Sequence, residues 1–157
     1  MNESAVKLGE DLKRRGLTVS VAESCTAGGL GHEITRVPGA SGYFIGGVIA
    51  YDNRVKTGLL GVPERTVEQF GAVSAETASA MASACRSLLK TDLAISITGI
   101  AGPGGGTPEK PVGRVFVAVA SETAVRGIRL DLDGDRDAVR QQAVVAALEL
   151  ASSFLSD

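Results

Sequence analysis

The spacing of apolar and polar residues along the chain predicts strands that alternate with helices. Residues 4–15 place Ala5, Leu8 and Leu12 at helical spacing, and Gly16 follows them. Glycine is the residue that most often ends a helix, so a helix is predicted up to Arg15. Residues 17–22 then alternate apolar and polar side chains, which is the pattern of a strand.

The same reasoning extends to the rest of the chain. Further strands are predicted at 43–51, 93–97, 112–120 and 124–132, and further helices at 26–36, 52–60, 63–70, 74–90 and 135–155. The strand at 43–51 is apolar and predicted to be buried, with a bulge or close approach at Gly46 and Gly47. The helix at 74–90 places Met81, Cys85 and Leu88 on one stripe. This order predicts an α/β fold, a three-layer α/β/α sandwich with a mixed β-sheet, as one domain over 1–157.

Composition narrows the function classes. The chain has 44% hydrophobic residues, a net charge of −2 and no basic stripe, which argues against direct nucleic-acid binding. No apolar run is long enough to span a membrane and the N-terminus is polar, so a cytoplasmic protein is expected. Two cysteines and one histidine are too few for a disulfide framework or a Cys/His zinc site. Neither a metal nor a cofactor is expected.

The best candidate for chemistry is Ser24, which lies where the strand at 17–22 passes into the helix at 26–36. A serine at a helix start can attack a carbonyl, and the amides just after it can hold the resulting oxyanion. The alternative is that Ser24 or Thr26 is only a helix cap, which position alone favours. Cys25 is an alternative nucleophile, since a helix N-terminus would lower the pKa of its thiol.

A base for Ser24 must come from elsewhere than histidine. His32 is eight residues along the same predicted helix, about 12 Å away, and is expected to face solvent or another subunit. Lys56 follows the strand at 43–51, close to Tyr51, and a buried lysine with a lowered pKa can activate a serine. The alternative, favoured by the sequence alone, is a solvated helix lysine. Glu23 could orient Lys56 or a ligand hydroxyl, or add to the capping.

Two further features point to ligand binding. The glycine-rich loop at 99–106 follows a strand, as Ser24 does, so both are expected at one edge of the sheet. It matches neither a P-loop nor a dinucleotide motif, and a flexible surface loop is the alternative. Arg136 and Arg140 are four residues apart at the start of the last helix, where they could bind a phosphate or carboxylate. Alternatively, they pair with the neighbouring aspartates Asp133, Asp135 and Asp137.

These motifs together resemble the C-terminal domain of the competence/damage-inducible protein A (CinA) family, also known as the nicotinamide mononucleotide deamidase family. The resemblance covers nearly the whole chain in order. One departure is Ala27, where the family usually has glycine, and this narrows the expected room beside the helix start. The matching segments are Ala22-Glu23-Ser24-Cys25-Thr26, Gly47-Val48-Ile49-Ala50-Tyr51 with Asn53 and Lys56, Gly71-Ala72-Val73-Ser74, Gly99-Ile100-Ala101-Gly102-Pro103, Lys110-Pro111-Val112-Gly113 and Gly134-Asp135-Arg136-Asp137-Ala138-Val139-Arg140.

The resemblance implies hydrolysis of the carboxamide of nicotinamide mononucleotide to nicotinic acid mononucleotide and ammonia, without a metal. It makes Ser24 the nucleophile, Lys56 the base and Tyr51 a relay or orienting group, with Arg140 as the phosphate partner. It also implies a homo-oligomer that acts on a small nucleotide, not on nucleic acid or membranes. The alternative, which Ala27 favours, is a catalytically weak nucleotide-binding sensor or interaction module linked to competence or DNA damage. The expected substrate-binding residues are Glu23, Cys25, Thr26, Thr98, Gly99, Ile100, Ala101, Gly102, Arg136 and Arg140.

Overall fold

The structure, a computed structural model, describes all 157 residues and confirms the α/β/α sandwich. Two short segments are irregular helices: a 3-10 helix at Ala40–Gly42 and a π-helical segment at Val55–Leu60. The regular elements are α1 (Glu3–Arg15), β1 (Val19–Glu23), α2 (Gly29–Thr35), β2 (Phe44–Ile49), α3 (Glu64–Phe70), α4 (Ala75–Leu89), β3 (Leu93–Gly99), β4 (Arg114–Ala120), β5 (Val125–Asp131) and α5 (Arg136–Ser156).

The five strands form one mixed sheet in the order β2-β1-β3-β4-β5. Strand β1 pairs in parallel with both β2 and β3, whereas β3, β4 and β5 are antiparallel neighbours. The predicted hairpin of the last two strands is therefore confirmed. Because β1, β2 and β3 run the same way, the chain segments that follow them emerge at one edge of the sheet.

The two faces of the sheet carry side chains of different size. Valine and isoleucine side chains such as Val21, Ile95 and Val117 pack against α1, α2 and α5. The other face carries alanines such as Ala94 and Ala118, which pack against α4. Small side chains let a helix approach the sheet closely, and Ser96 Oγ donates to Ala78 O of α4 at 2.6 Å. The face with large side chains therefore packs against α1, α2 and α5, and the face with small side chains packs against α4.

The strand predicted as buried at 43–51 is instead the edge strand β2. Ile45 is 53% exposed and Ile49 54% exposed, because β2 pairs with β1 on one side only and its other side is open, although α2 and α4 both contact the strand. The predicted bulge and close approach are both present. The register with β1 shifts between Val19 and Ser20, and a Cβ on Gly47 would lie 2.5 Å from Val21 Cγ2.

Among the helices, two expectations need correction. Helix α2 begins at Gly29, not at residue 26, because residues 25–28 form a turn. Leu88 is 45% exposed rather than part of the buried stripe of α4, which its inward-facing residues Met81 and Cys85 do form. In α5 the predicted buried residues are confirmed: Val144, Leu148, Ala151 and Leu155. None of the helices combines the length and apolar character needed to cross a membrane.

Candidate active site

Ser24 lies on a tight turn directly after β1, at the edge where β1, β2 and β3 end. Its backbone N–H donates to Ile97 O of β3 at 3.0 Å, and its carbonyl accepts from Ala27 N at 3.1 Å. Ala27 and Gly28 both have positive φ, 46° and 99°, which turn the chain before α2 begins. Ser24 is therefore a turn residue rather than the first residue of the helix, and it does not cap it.

Gly28 is the N-cap residue of α2, and the carboxylate of Glu23 supplies the capping hydrogen bonds. Its Oε1 accepts from Leu30 N at 2.8 Å and from Thr26 Oγ1 at 2.6 Å, and its Oε2 accepts from Gly31 N at 3.0 Å. The buried carboxylate thus satisfies backbone donors that a helix start leaves free, and its negative charge lies at the positive end of the helix. Of the roles considered for Glu23, the structure provides the capping one and no contact with Lys56. Thr26 supports the same cap.

Ala27 is exposed, so its methyl group does not narrow the room beside Ser24. Its side chain instead strains the backbone. The φ of 46° at Ala27 lies in the left-handed region, which favours glycine. The departure from the family's usual glycine therefore costs conformational energy in the turn and leaves the pocket unobstructed.

Replacing Ala27 with glycine is expected to raise the free energy of unfolding by about 0.5 to 1 kcal/mol. Relief of left-handed strain in an L-residue, about 1 to 2 kcal/mol, exceeds the added flexibility of an unfolded glycine, about 0.4 to 1 kcal/mol. Urea unfolding measures the difference. Ala124→Gly is the control, since Ala124 is an exposed loop alanine without positive φ, and this variant should be destabilised. Equal losses in both variants would contradict the strain at Ala27.

Lys56 is the largest fully buried side chain and points at Ser24. It is 1% exposed, and its Nζ donates to Ser24 Oγ at 3.1 Å, Ala50 O at 2.8 Å and Tyr51 O at 3.1 Å. Burial holds the pKa of the Lys56 amine below its ordinary value of 10.5, although Asp52 opposes this effect. The interpretation as a solvated helix lysine is therefore wrong. The residue lies in the π-helical segment Val55–Leu60, a widened turn often found at functional sites.

Cys25 is buried next to Ser24, but its thiol is not activated. Burial raises the pKa of Cys25 to about 11, opposite to the lowering expected from a helix start. The helix start lies further along the chain at Gly29, and N–H groups of its first turn already donate to the carboxylate of Glu23. A thiol with this pKa is protonated at neutral pH and is a weak nucleophile.

Arg136 connects two walls of the site. Its Nη1 donates to Gly102 O at 2.7 Å, and its Nη2 donates to the phenol oxygen of Tyr51 at 3.2 Å. The exposed Tyr51 ring therefore contacts Arg136, while its backbone carbonyl accepts from Lys56. Arg136 makes no ion pair with the neighbouring aspartates and lies at the mouth of the site.

These residues surround a pocket of about 260 Å³. Thr98 is buried in its wall, and its Oγ1 donates to Ala72 O at 2.7 Å, which ties the segment before α4 to β3. Sequence reasoning missed Asn53, Ala72 and Val73 as lining residues, although they lie in or beside segments that carry the family resemblance. The pocket is lined by Ser24, Cys25, Tyr51, Asn53, Lys56, Ala72, Val73, Thr98, Gly99, Ile100, Ala101, Gly102, Gly104, Gly105 and Arg136.

Arg140 lies outside this pocket, so the two arginines do not form one site. Its Nη2 donates to Thr26 O at 3.2 Å, and its Nη1 is 4.0 Å from Asp137 Oδ1. Glu23 and Thr26 do not line the pocket either. The structure also contains no group of three or more His, Cys, Asp and Glu side chains arranged to hold a metal ion.

Comparison with curated proteins identifies relatives of two lengths. A CinA-like protein of Gloeothece citriformis is 51% identical over 145 residues, which is 90% of this chain and 35% of that protein. A protein named nicotinamide-nucleotide amidohydrolase PncC, from Pseudomonas putida, is 47% identical over 145 residues, which is 92% of this chain and 91% of that protein. The chain thus spans about a third of the longer relatives and nearly all of the shorter one.

Solved structures share the fold over almost the whole chain. The competence/damage inducible protein CihA of Agrobacterium tumefaciens has a TM-score of 0.94 and 38% identity, and the match covers 99% of this chain and 94% of that one. A CinA superfamily protein of Klebsiella pneumoniae has a TM-score of 0.95 and 30% identity, with 99% of both chains covered. The family model described as the CinA C-terminal domain matches residues 1–155. The chain therefore belongs to the CinA C-terminal domain family.

Proposed function

We propose that this chain is an amidase that hydrolyses the carboxamide of nicotinamide mononucleotide to nicotinic acid mononucleotide and ammonia, with Ser24 as nucleophile and Lys56 as base. The observation that carries the proposal is the 3.1 Å contact between Lys56 Nζ and Ser24 Oγ. A buried amine against a serine hydroxyl is an arrangement that activates the serine. The name of the Pseudomonas putida relative supports the substrate.

The two carbonyl partners of Lys56 decide where its lone pair points. Ala50 O and Tyr51 O can only accept hydrogen bonds, so in the neutral amine both N–H bonds are directed to them. The lone pair then faces Ser24, whose hydroxyl donates to it. Burial favours this neutral form because it lowers the pKa of Lys56. The backbone after β2 thus orients the base.

In the proposed reaction, Ser24 Oγ gives its proton to Lys56 Nζ and bonds to the carboxamide carbon. When the tetrahedral intermediate collapses, the C–N bond breaks and Lys56 returns the proton to the leaving nitrogen, which departs as ammonia. A water molecule, deprotonated by Lys56, then attacks the acyl-serine ester. The C–Oγ bond breaks, Ser24 regains its proton and the carboxylic acid is released.

The negative charge of the tetrahedral oxygen requires nearby donors. The backbone N–H groups of Cys25 and Thr26 follow Ser24 in the turn, and neither donates to another residue in the protein. We propose that they form the oxyanion hole. This role agrees with the expectation from the sequence, but the donors belong to the turn of residues 24–28 rather than to a helix start.

Arg136 is the proposed partner of the substrate phosphate, since it is the one arginine that lines the pocket. Tyr51 lies beside it, and Thr98 with the loop at 99–102 forms another wall, where glycine leaves backbone groups accessible. Arg140 and Glu23 do not contact the substrate in this proposal. Both bind Thr26 and thereby position the turn that follows Ser24. A homo-oligomer is part of the proposal, supported by the exposed Ile45 and Ile49 of the edge strand β2.

The direct test is ammonia release from nicotinamide mononucleotide by the purified protein, with and without a chelator. We expect release that is unaffected by the chelator and a product that carries a carboxylate. Nicotinamide riboside is expected to react with a higher KM, because it lacks the phosphate that Arg136 would bind. Nucleotide binding without ammonia release would favour the sensor function instead. The one residue that favoured this alternative, Ala27, does not line the pocket.

A further inference from the structure

A second and larger cavity lies between α2, α5 and the start of α1. Its volume is about 580 Å³, which is within the size range of sites for small organic ligands. It shares no lining residue with the Ser24 pocket. The cavity is lined by Met1, Asn2, Thr26, Gly29, His32, Glu33, Arg36, Asp137, Arg140, Gln141, Val144 and Val145.

Three side chains that carry or can acquire positive charge meet in this cavity. His32 and Arg36 lie one turn apart on or beside α2, and Arg140 faces them from α5. Two carboxylates, Glu33 and Asp137, also line the cavity, but they neutralise this positive charge only in part. Glu33 pairs with Arg36 through Nη1 at 3.2 Å, and Asp137 is 4.0 Å from Arg140 with its side chain 82% exposed. Arg36 therefore keeps donors free, and Arg140 has no close ionic partner.

Arg140 is the least satisfied group in the cavity. Its Nε is buried and has no hydrogen-bond partner, although Nη2 donates to Thr26 O at 3.2 Å. A buried N–H without an acceptor is costly, and a guanidinium group offers a planar pair of donors that matches two phosphate oxygens. Nε itself is not accessible from the cavity, but the Arg140 side chain is 35% exposed and lines it, so an anion can approach the terminal nitrogens. The apolar side chains Val144 and Val145 would contact the uncharged part of such a ligand.

We infer that this cavity, formed by His32, Arg36 and Arg140, is a binding site for the phosphate group of a small molecule. The inference goes beyond the proposed amidase function, because the site is separate from Ser24 and needs no catalysis. Two sources supply this group, namely free phosphate and a nucleoside monophosphate. The volume and the two valines favour the nucleotide.

The single histidine of the chain provides a specific probe, since His32 lines this cavity and not the Ser24 pocket. The Cε1–H resonance of His32 is followed by NMR at constant pH while inorganic phosphate, or in a separate titration adenosine 5′-monophosphate, is added. We expect a saturable shift. The ligand that gives the lower Kd identifies the source, and a saturable shift with either one supports the site.

Variants separate this cavity from the catalytic pocket. Arg140→Gln and Arg36→Gln are each expected to raise the Kd for the phosphate-bearing probe at least about tenfold, since each removes a charged donor. Arg36 is largely exposed, so its replacement keeps the test informative if Arg140→Gln does not fold. Arg136→Gln, at the mouth of the Ser24 pocket, should leave the shift of His32 unchanged. No saturable shift with either probe, or an equal Kd in Arg36→Gln, would overturn the inference whether or not the protein is an amidase.

Discussion

Replacing Ser24 with alanine is expected to lower kcat for ammonia release from nicotinamide mononucleotide by at least about a thousandfold. The variant removes the oxygen that bonds to the carboxamide carbon, while the pocket and its Arg136 remain. The Ser24→Ala variant should therefore still bind the nucleotide. Its Kd should be close to the KM of the unmodified protein if the chemical step limits that reaction. Steady-state ammonia release and calorimetric binding on the same preparation measure the two quantities.

Ser83→Ala is the matched control, because Ser83 is an exposed serine on α4 and makes no side-chain hydrogen bond. It should keep the turnover of the unmodified protein. Thermal unfolding of both variants should be cooperative, since Ser24 Oγ accepts only from Lys56. If the Ser24→Ala variant retained more than a small fraction of turnover, a nucleophile other than Ser24 would be required.

Replacing Lys56 with methionine should produce a loss of similar size. Methionine has comparable length but no amine, so Ser24 would have no base, and Ala50 O and Tyr51 O would lose a donor. Residues that act as a unit give non-additive losses, so the double variant with Ser24→Ala should be little worse than either single one. Initial rates of ammonia release for the three variants test this expectation.

The pH dependence provides a separate test of Lys56. In the unmodified protein kcat/KM should rise with pH as the amine loses its proton, with a midpoint below 10.5 because burial lowers the pKa of Lys56. Since the folded pKa is lower than the unfolded one, the free energy of unfolding should also rise with pH between the two values. Lys56→Met should lose this slope, and urea unfolding at several pH values measures it.

Lys13→Met is the control for Lys56, since Lys13 is an exposed helix lysine and its side chain makes no hydrogen bond. It should keep both the activity and the pH slope. Tyr51→Phe should retain more activity than Lys56→Met, because the Lys56 contact uses the backbone carbonyl of Tyr51 and not its phenol. If instead Tyr51→Phe were inactive and Lys56→Met active, the phenol would be the base.

Much of the fold is predictable because it depends on local spacing. The stripe of Val144, Leu148, Ala151 and Leu155 in α5 and the hairpin of β4 and β5 are both present where the pattern indicated. Glycine and β-branched residues are strong local signals, so the irregularity at Gly46 and Gly47 was also predictable. The edge position of β2 was not, because the apolar pattern of a strand does not show whether it has one pairing partner or two.

The order of the strands also explains how much of the site could be predicted. Residues that follow parallel strands meet at one sheet edge, so Ser24 and the loop at 99–106 could be placed together from the sequence. The start of α2 could not, because Ala27 and Gly28 adopt positive φ and extend the turn. The separation of Arg136 from Arg140 was likewise unexpected, since helical spacing says nothing about which cavity each side chain enters.

The element order, the three-layer architecture and the motifs that mark the family can be recognised in the sequence, because they depend on residues close together along the chain. The burial and orientation of Lys56, in contrast, depend on the tertiary fold. Its burial, the two carbonyls that orient it and its contact with Ser24 join segments 32 residues apart. The sequence pattern favoured a solvated lysine, and desolvation, which depends on the whole fold, reversed that expectation.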